Sequence, residues 1–187
     1  RQIDGVDSVH SDNLAGATAA TEHLISLGHR RIAFLANPQT SGYFDRQRGY
    51  LAAMAAAGLE PHVVASHYSR TKAAADIAPA LALPPARRPT AVFAHNDQAA
   101  MGVIDAMSAR GLRTPDDISV VGYDNTPVSR TPGMQLTTVD IHGEELGRLA
   151  AEAALRRLAD PDAPAAIVAS TPTLIVRATT APPPTLP

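Results

Sequence analysis

Four short stretches of the chain carry residues suited to hydrogen-bonding a small polar molecule, and each follows an apolar run. They are Asn37 with the nearby Arg46, then His67-Tyr68, His95-Asn96-Asp97 and Tyr123-Asp124-Asn125. A carboxylate such as Asp124 accepts from two neighbouring hydroxyls, and Arg46 donates through a planar fork. Asn96 donates and accepts, as a sugar hydroxyl does. Tyr68 offers a ring face to the C–H side of a sugar or to a flat base. This set suits a polyhydroxylated ligand and serves a nucleobase nearly as well, so residue types leave the ligand class open. Each residue also has a plainer use. Asp97 stands where a helix N-cap is expected, Asp124-Asn125 before Thr126-Pro127 are turn formers, Arg46 on the first turn of a helix would otherwise be merely exposed, and Tyr68 a partly buried rim aromatic.

Catalytic patterns are not found. The sequence has no GxSxG elbow, no GxxxxGK[ST] loop and no GxGxxG after its first strand, so it is not read as an enzyme. Its seven histidines show neither HExxH nor an i,i+4 pair flanking a carboxylate, and no metal or cofactor is expected.

The chain has 187 residues, 45% apolar, with a formal net charge of -2, enough for one large α/β domain or two small lobes. With no cysteine, disulfides and thiolate sites are excluded, which fits a reducing, cytoplasmic setting. No apolar run approaches the roughly 18 residues of a membrane span, and no signal-peptide layout opens the chain. The pairs Arg30-Arg31, Arg87-Arg88 and Arg156-Arg157 are scattered among acidic residues. They make no basic face of the kind a DNA-binding module carries.

Hydrophobic periodicity predicts the elements that position the polar stretches. Strands are expected at 6–10, 31–36, 63–66, 90–94, 118–122, 136–139, 167–169 and 173–176. Helices are expected at 14–27, 45–57, 72–83, 98–110 and 143–159, three of them closed by Gly28, Gly58 and Gly111. Pro84-Pro85 stops the third helix, and the proline-rich tail 181–187 is expected to be disordered. Alternation of short apolar strands with helices argues for an α/β fold, a parallel sheet sandwiched by helices. In such a sheet ligands bind outside the carboxyl ends of the strands, where the four polar stretches fall.

The chain resembles the lactose-repressor/galactose-repressor (LacI/GalR) family of transcriptional regulators. The resemblance rests on VHSDN, HLISLGHRRIAFL, RQRGYLAAM, PTAVFAHNDQAAMGV, GLRTPDDISVVGYDN and LTTV, in this order from about Val9 to Val176. It implies a periplasmic-binding-protein-like type I core of two lobes around an effector cleft, with one lobe nearly complete and one partial. Carried over residue by residue, the family's effector contacts fall on Asp12, Arg46, Tyr68, Asn96 and Asp124. The chain departs from the family at Ile141 and Gly143, where a polar residue and an aromatic are common, and at His95, where a small residue is common.

The resemblance further implies a partial N-terminal lobe at 1–28 and 140–160, a C-terminal lobe at 31–138 and 165–178, and a tail at 179–187. It implies a cytoplasmic, allosteric repressor that senses a sugar or nucleoside-like effector. Homodimerisation is expected through the helix 98–110 and the loop after Asp124. Operator DNA is expected to be bound only through an N-terminal helix-turn-helix head that this sequence does not include. The rival reading, a secreted sugar-binding protein of an uptake system, shares the architecture but fits GHRRIAFL and DDISVVGYDN less well.

Overall fold

The structure, a computed structural model, describes residues 5–37 and 41–185. Along the chain run β1 (Ser8–Ser11), α1 (Asn13–Ser26), β2 (Ile32–Ala36), α2 (Ser41–Ala56), β3 (His62–Ala65) and α3 (Arg70–Leu81). They are followed by β4 (Ala91–Ala94), α4 (Asp97–Ser108), β5 (Ser119–Tyr123), a 3-10 turn (Pro127–Arg130) and β6 (Thr137–Asp140). α5 (Gly143–Ala159), β7 (Ile167–Ser170) and β8 (Thr173–Ile175) complete the order. Gly28, Gly58 and Gly111 all take positive φ, of 101°, 64° and 69°, which is why the first, second and fourth helices end where glycine stands.

Six strands form the main sheet in the order β3-β2-β4-β5-β6-β8, parallel throughout except that β8 runs antiparallel to β6. Alternate residues of each buried strand feed opposite faces. Ala33 and Leu35 join Ile77, Val92, Val103, Met107 and Val120 under α3 and α4. Ile32 and Phe34 join Leu24, Tyr50, Met54, Phe93 and Tyr123 under α1 and α2. The result is three layers, with β2, β4 and β5 buried along their whole length. The chain leaves β2 toward β3 on one side and returns to β4 on the other. The order therefore reverses between β2 and β4, the place where such sheets open a crevice.

Tyr50 ties this frame together. Its ring stacks on Phe34, its hydroxyl donates to the Ile32 carbonyl at 2.8 Å, and it accepts from His62 N at 2.8 Å. Tyr50→Phe keeps the ring and orphans both backbone groups. It is expected to lower stability by about 1–3 kcal/mol in urea denaturation, and a loss within measurement error would show that both groups find other partners.

A second, smaller unit holds the parallel pair β1-β7, against which α5 packs. None of the residues of α5 is buried, and Val6, Leu155, Leu158 and Ile167 are exposed. The chain passes between the small unit and the main sheet three times, at 11–13, 140–143 and 170–173. These crossings are linked: Asp12 N donates to the Ser170 carbonyl at 2.9 Å, and the His142 ring meets the Thr173 hydroxyl at 3.0 Å.

Three expectations change. α1 packs on the main sheet through Ala17, Ala20 and Leu24, because its apolar stripe matches that face, and so does not group with residues 140–160. β7 pairs with β1 and so leaves the unit expected at 165–178. The tail is docked over part of its length. Ala181 exchanges hydrogen bonds with the Ser119 side chain, its carbonyl also accepts from His29 Nε2 at 2.9 Å, and Thr179 bonds both Val120 and Thr137. Proline-rich composition fails as a guide here because buried polar side chains of the sheet end need these backbone partners. The last two residues of the tail, and the first four of the chain, lie outside the described residues.

Candidate functional site

Arg46 is the centre of the polar rim. It lies on α2 yet is only 7% exposed, because every face of its guanidinium meets another element. Nε donates to Asn13 Oδ1 at 2.8 Å, Nη1 to the His95 carbonyl at 2.6 Å, and Nη2 lies 3.2 Å from Asp124 Oδ1. The group lies 3.7 Å above the Tyr123 ring and 4.8 Å from the Tyr43 ring. One cation thus joins the start of α1, the first turns of α2, and the carboxyl ends of β4 and β5. Cation–π contact and charge-assisted bonds compensate its removal from water.

Asp124 follows β5 with φ 99°, a conformation uncommon outside glycine and tolerated best by Asp and Asn. Burial raises its carboxyl from the ordinary 3.8 to about 6, against the pull of Arg46 and with a smaller push from Asp97. The folded form therefore holds the proton more tightly than the unfolded form. Stability from this group is fully present below about pH 4 and is lost as pH rises through about 6.

Asn96 is buried and caps α4, its Oδ1 accepting from Ala99 N at 2.8 Å. Asp97 is not the cap. It is fully buried, and its carboxylate accepts from Thr126 N at 2.7 Å, the Thr126 hydroxyl at 2.8 Å and the Thr138 hydroxyl at 2.6 Å. It bolts the loop after Asp124 to β6. Asp12 is exposed and caps α1 through Ala15 N at 2.9 Å, beside Asn13. Tyr68 is 56% exposed, its ring 6.4 Å from Tyr43. His67 turns away from the rim to Asp76 at 2.9 Å, and Asn125 is bound to Asp140 and Arg177.

The structure thus joins Arg46 directly to Asp124, places Asn96 beside them, and reaches Tyr68 through Tyr43. Asp12 stays at the crossing without touching Arg46 in any hydrogen bond or ion pair. Asn13 and Tyr43 join the cluster as well, beyond the residues expected from sequence. Tyr43 was findable, because it precedes Arg46 by three residues and so shares its helix face; Asn13 is the last letter of VHSDN. Asp124 also borders a cavity of about 730 Å³ that extends to His142, Glu145 and Arg148. Among the described residues no cluster of His, Asp or Glu is arranged to hold a metal ion, and no helix is long and apolar enough to cross a membrane.

The expected partner helix uses its apolar residues internally. Met101 and Val103 of α4 are buried in the chain's own packing, since one face lies on the sheet and another on α3.

Comparison with known proteins agrees with this architecture. The pattern of the periplasmic binding protein-like domain matches residues 21–180. The ribose operon repressor of Haemophilus influenzae is 34% identical over 175 residues, 91% of this chain and 52% of that protein. The HTH-type transcriptional repressor PurR of Vibrio campbellii is 35% identical over 184 residues, 92% of this chain and 52% of that protein. The chain therefore spans about half the length of these relatives. Among solved structures, a LacI transcriptional regulator from a Rhodococcus species superposes with TM-score 0.92 at 37% identity, covering 98% of this chain and 68% of that one. A LacI family regulator from Enterococcus faecium with bound ribose gives 0.88 at 26% identity, with 97% and 68% covered. The CelR–cellobiose complex gives 0.82 at 30%, with 94% and 54% covered. Sequence pattern, fold and these relatives agree that the chain belongs to the LacI/GalR family, as part of its periplasmic-binding-protein-like effector-binding domain.

Proposed function

We propose that the chain is the ligand-sensing part of a cytoplasmic transcriptional repressor and binds a small sugar or nucleoside-like effector at the Arg46 cluster. One observation carries this reading. Arg46, Asn96 and Asp124 converge where the strand order reverses, each held by bonds that fix its direction, and Tyr43 and Tyr68 lie beside them. Ribose and cellobiose in the relatives' structures support a polyhydroxylated ligand. The relatives' names favour a repressor over a secreted uptake protein.

In this reading the ligand spans from Asp12, at the crossing, to Arg46, Asn96 and Asp124 and favours a closed arrangement of two lobes. The main sheet with its helices is the more complete lobe. The β1-β7-α5 unit is part of the other, its exposed apolar face meant for the remainder of that lobe. Operator DNA would be bound by a separate helix-turn-helix head. Homodimerisation would use the loop after Asp124, where Val128 is exposed, together with what α4 leaves uncovered.

The test is a thermal-shift screen of pentoses, hexoses, disaccharides and nucleosides on the full translated chain, followed by calorimetry of wild type and Asp124→Asn. A sugar or nucleoside that binds wild type and loses most of its affinity in the variant is expected. Unaltered affinity in Asp124→Asn would remove the cluster as the site. The accepting form of Asp124 is the carboxylate, so affinity is expected to rise about tenfold from pH 5 to pH 7 and then level off. An affinity constant over that range contradicts direct acceptance by Asp124.

A further inference from the structure

His95 stands directly before Asn96 at the carboxyl end of β4, against the end of β2 where the strand order reverses. Its side chain is fully buried. Nδ1 lies 3.2 Å from the Leu35 carbonyl, which can only accept, so Nδ1 carries the proton and Nε2 the lone pair. Nε2 is buried and has no hydrogen-bond partner among the described residues. Burial holds the ring's pKa down at about 4, with Arg46 acting in the same direction and the Leu35 bond opposing it. The ring is therefore neutral near pH 7, and Nε2 can accept but not donate.

Two neighbours decide what can use that lone pair. The Tyr43 ring meets His95 edge-on with centroids 5.1 Å apart and is half-buried itself. Burial raises the pKa of its hydroxyl, Asp124 adds to the rise, and Arg46 and Asn96 oppose it, so the hydroxyl stays protonated near pH 7. Arg46, the cation at the centre of the cluster, is already committed to Asn13, the His95 carbonyl and Asp124. An anionic ligand would have to displace Asp124 to reach it and would also face the Nε2 lone pair, an acceptor opposite an acceptor. A hydroxyl or N–H donor meets no such conflict. A buried acceptor left unpaired in the free protein rewards the ligand that supplies the missing donor.

We propose that His95 is a specificity-determining contact whose Nε2 accepts a hydrogen bond from the effector once the Tyr43 ring moves aside, so that the site takes an uncharged, donor-bearing ligand and rejects its carboxylate or phosphate derivative. The inference rests on the proposed effector site and narrows it to a ligand class.

The test pairs each neutral probe with a charged counterpart on the full translated chain: ribose with ribose 5-phosphate, cellobiose with cellobionate, uridine with uridine 5′-monophosphate. The neutral member of at least one pair is expected to bind at least tenfold more tightly than the charged member. His95→Phe, which keeps a planar ring without the acceptor, is expected to lose at least tenfold in affinity for that probe. His95→Gln, which restores an acceptor oxygen, is expected to recover part of it. Nitrogen-15 NMR of wild type gives a readout independent of any variant's folding. The Nε2 resonance is expected to be that of an unprotonated nitrogen and to move toward the hydrogen-bonded position when the neutral probe is added. A neutral probe that binds without moving this resonance, or a charged member that binds as tightly, overturns the role of His95 while leaving the site intact. If no probe binds in any pair, the effector site itself falls and this inference with it.

Discussion

Arg46→Ala is expected to lower the free energy of unfolding by about 3 kcal/mol and to abolish effector binding. The side chain of Arg46 is 9% exposed and that of Asp124 24%, so neither charge is well hydrated. Removing the cation leaves Asp124 facing burial and Asp97 with nothing to offset them, and leaves the Asn13 amide and the His95 carbonyl without their donor. It also empties the space over the Tyr123 ring. Truncating one member of such a pair costs more than replacing both with apolar groups of like volume. At φ 99° a leucine would be strained, whereas Asn tolerates that conformation and removes the charge, so the double change Arg46→Met with Asp124→Asn is expected to be more stable than Arg46→Ala alone, and equally unable to bind effector. Urea denaturation at pH 7 measures both. A single-variant loss below about 1 kcal/mol would mean that the cluster holds ligand without holding the fold.

Gly49→Ala reverses an ordinary rule. Inside a helix, alanine in place of glycine usually gains about 1 kcal/mol. Here a Cβ would stand 2.5 Å from the Leu14 carbonyl oxygen and 2.9 Å from both Ala17 Cβ and Thr18 N, all on α1. Backbone cannot yield as a side-chain tip can, so α1 and α2 must separate. A loss of about 2 kcal/mol is expected instead of the gain. Gly49 follows Arg46 by three residues on the same face, and Asn13 opens α1, so the separation draws Asn13 away from Arg46 Nε. Effector affinity should fall even at temperatures where the variant is fully folded. Calorimetry beside thermal melts checks both effects, and a variant at least as stable as wild type would show that the helices do not meet as described.

These two residues show what the sequence made legible. The spacing of arginine, glycine and tyrosine in RQRGY is local, and each member has a separable duty: Arg46 gathers the site, Gly49 admits α1, Tyr50 joins β2 to β3. Element order, the glycine helix ends and the pairing of polar residues with strand ends all follow from nearest-neighbour patterns. Contacts between distant segments do not. Nothing near Asn13 announces Arg46, and nothing near His67 announces Asp76. Ala181 shows no local sign of the His29 and Ser119 side chains that hold it. Capping also misled, since Asn96 and Asp97 are both good caps and only the geometry of β4 decides that Asn96 turns back while Asp97 reaches across to Thr126 and Thr138. Apolar stripes name a buried face but not the layer it meets, so nothing in the pattern of α1 tells that it lies on the main sheet.

The three linked crossings have a mechanical meaning. Short ties laid side by side leave one soft motion, rotation about the line they define. The bond from Asp12 to Ser170 and the contact of His142 with Thr173 tie neighbouring crossings to each other and hold them side by side. Asn13 sits on that line, and Arg46 is bonded to it. In the proposed closure, a shift at the guanidinium would act close to the pivot, and the displacement would grow with distance along the β1-β7-α5 unit. With the effector bound as proposed, the domain would work as a lever with a short input arm, and the length of the output arm would set its gain independently of how tightly the ligand is held.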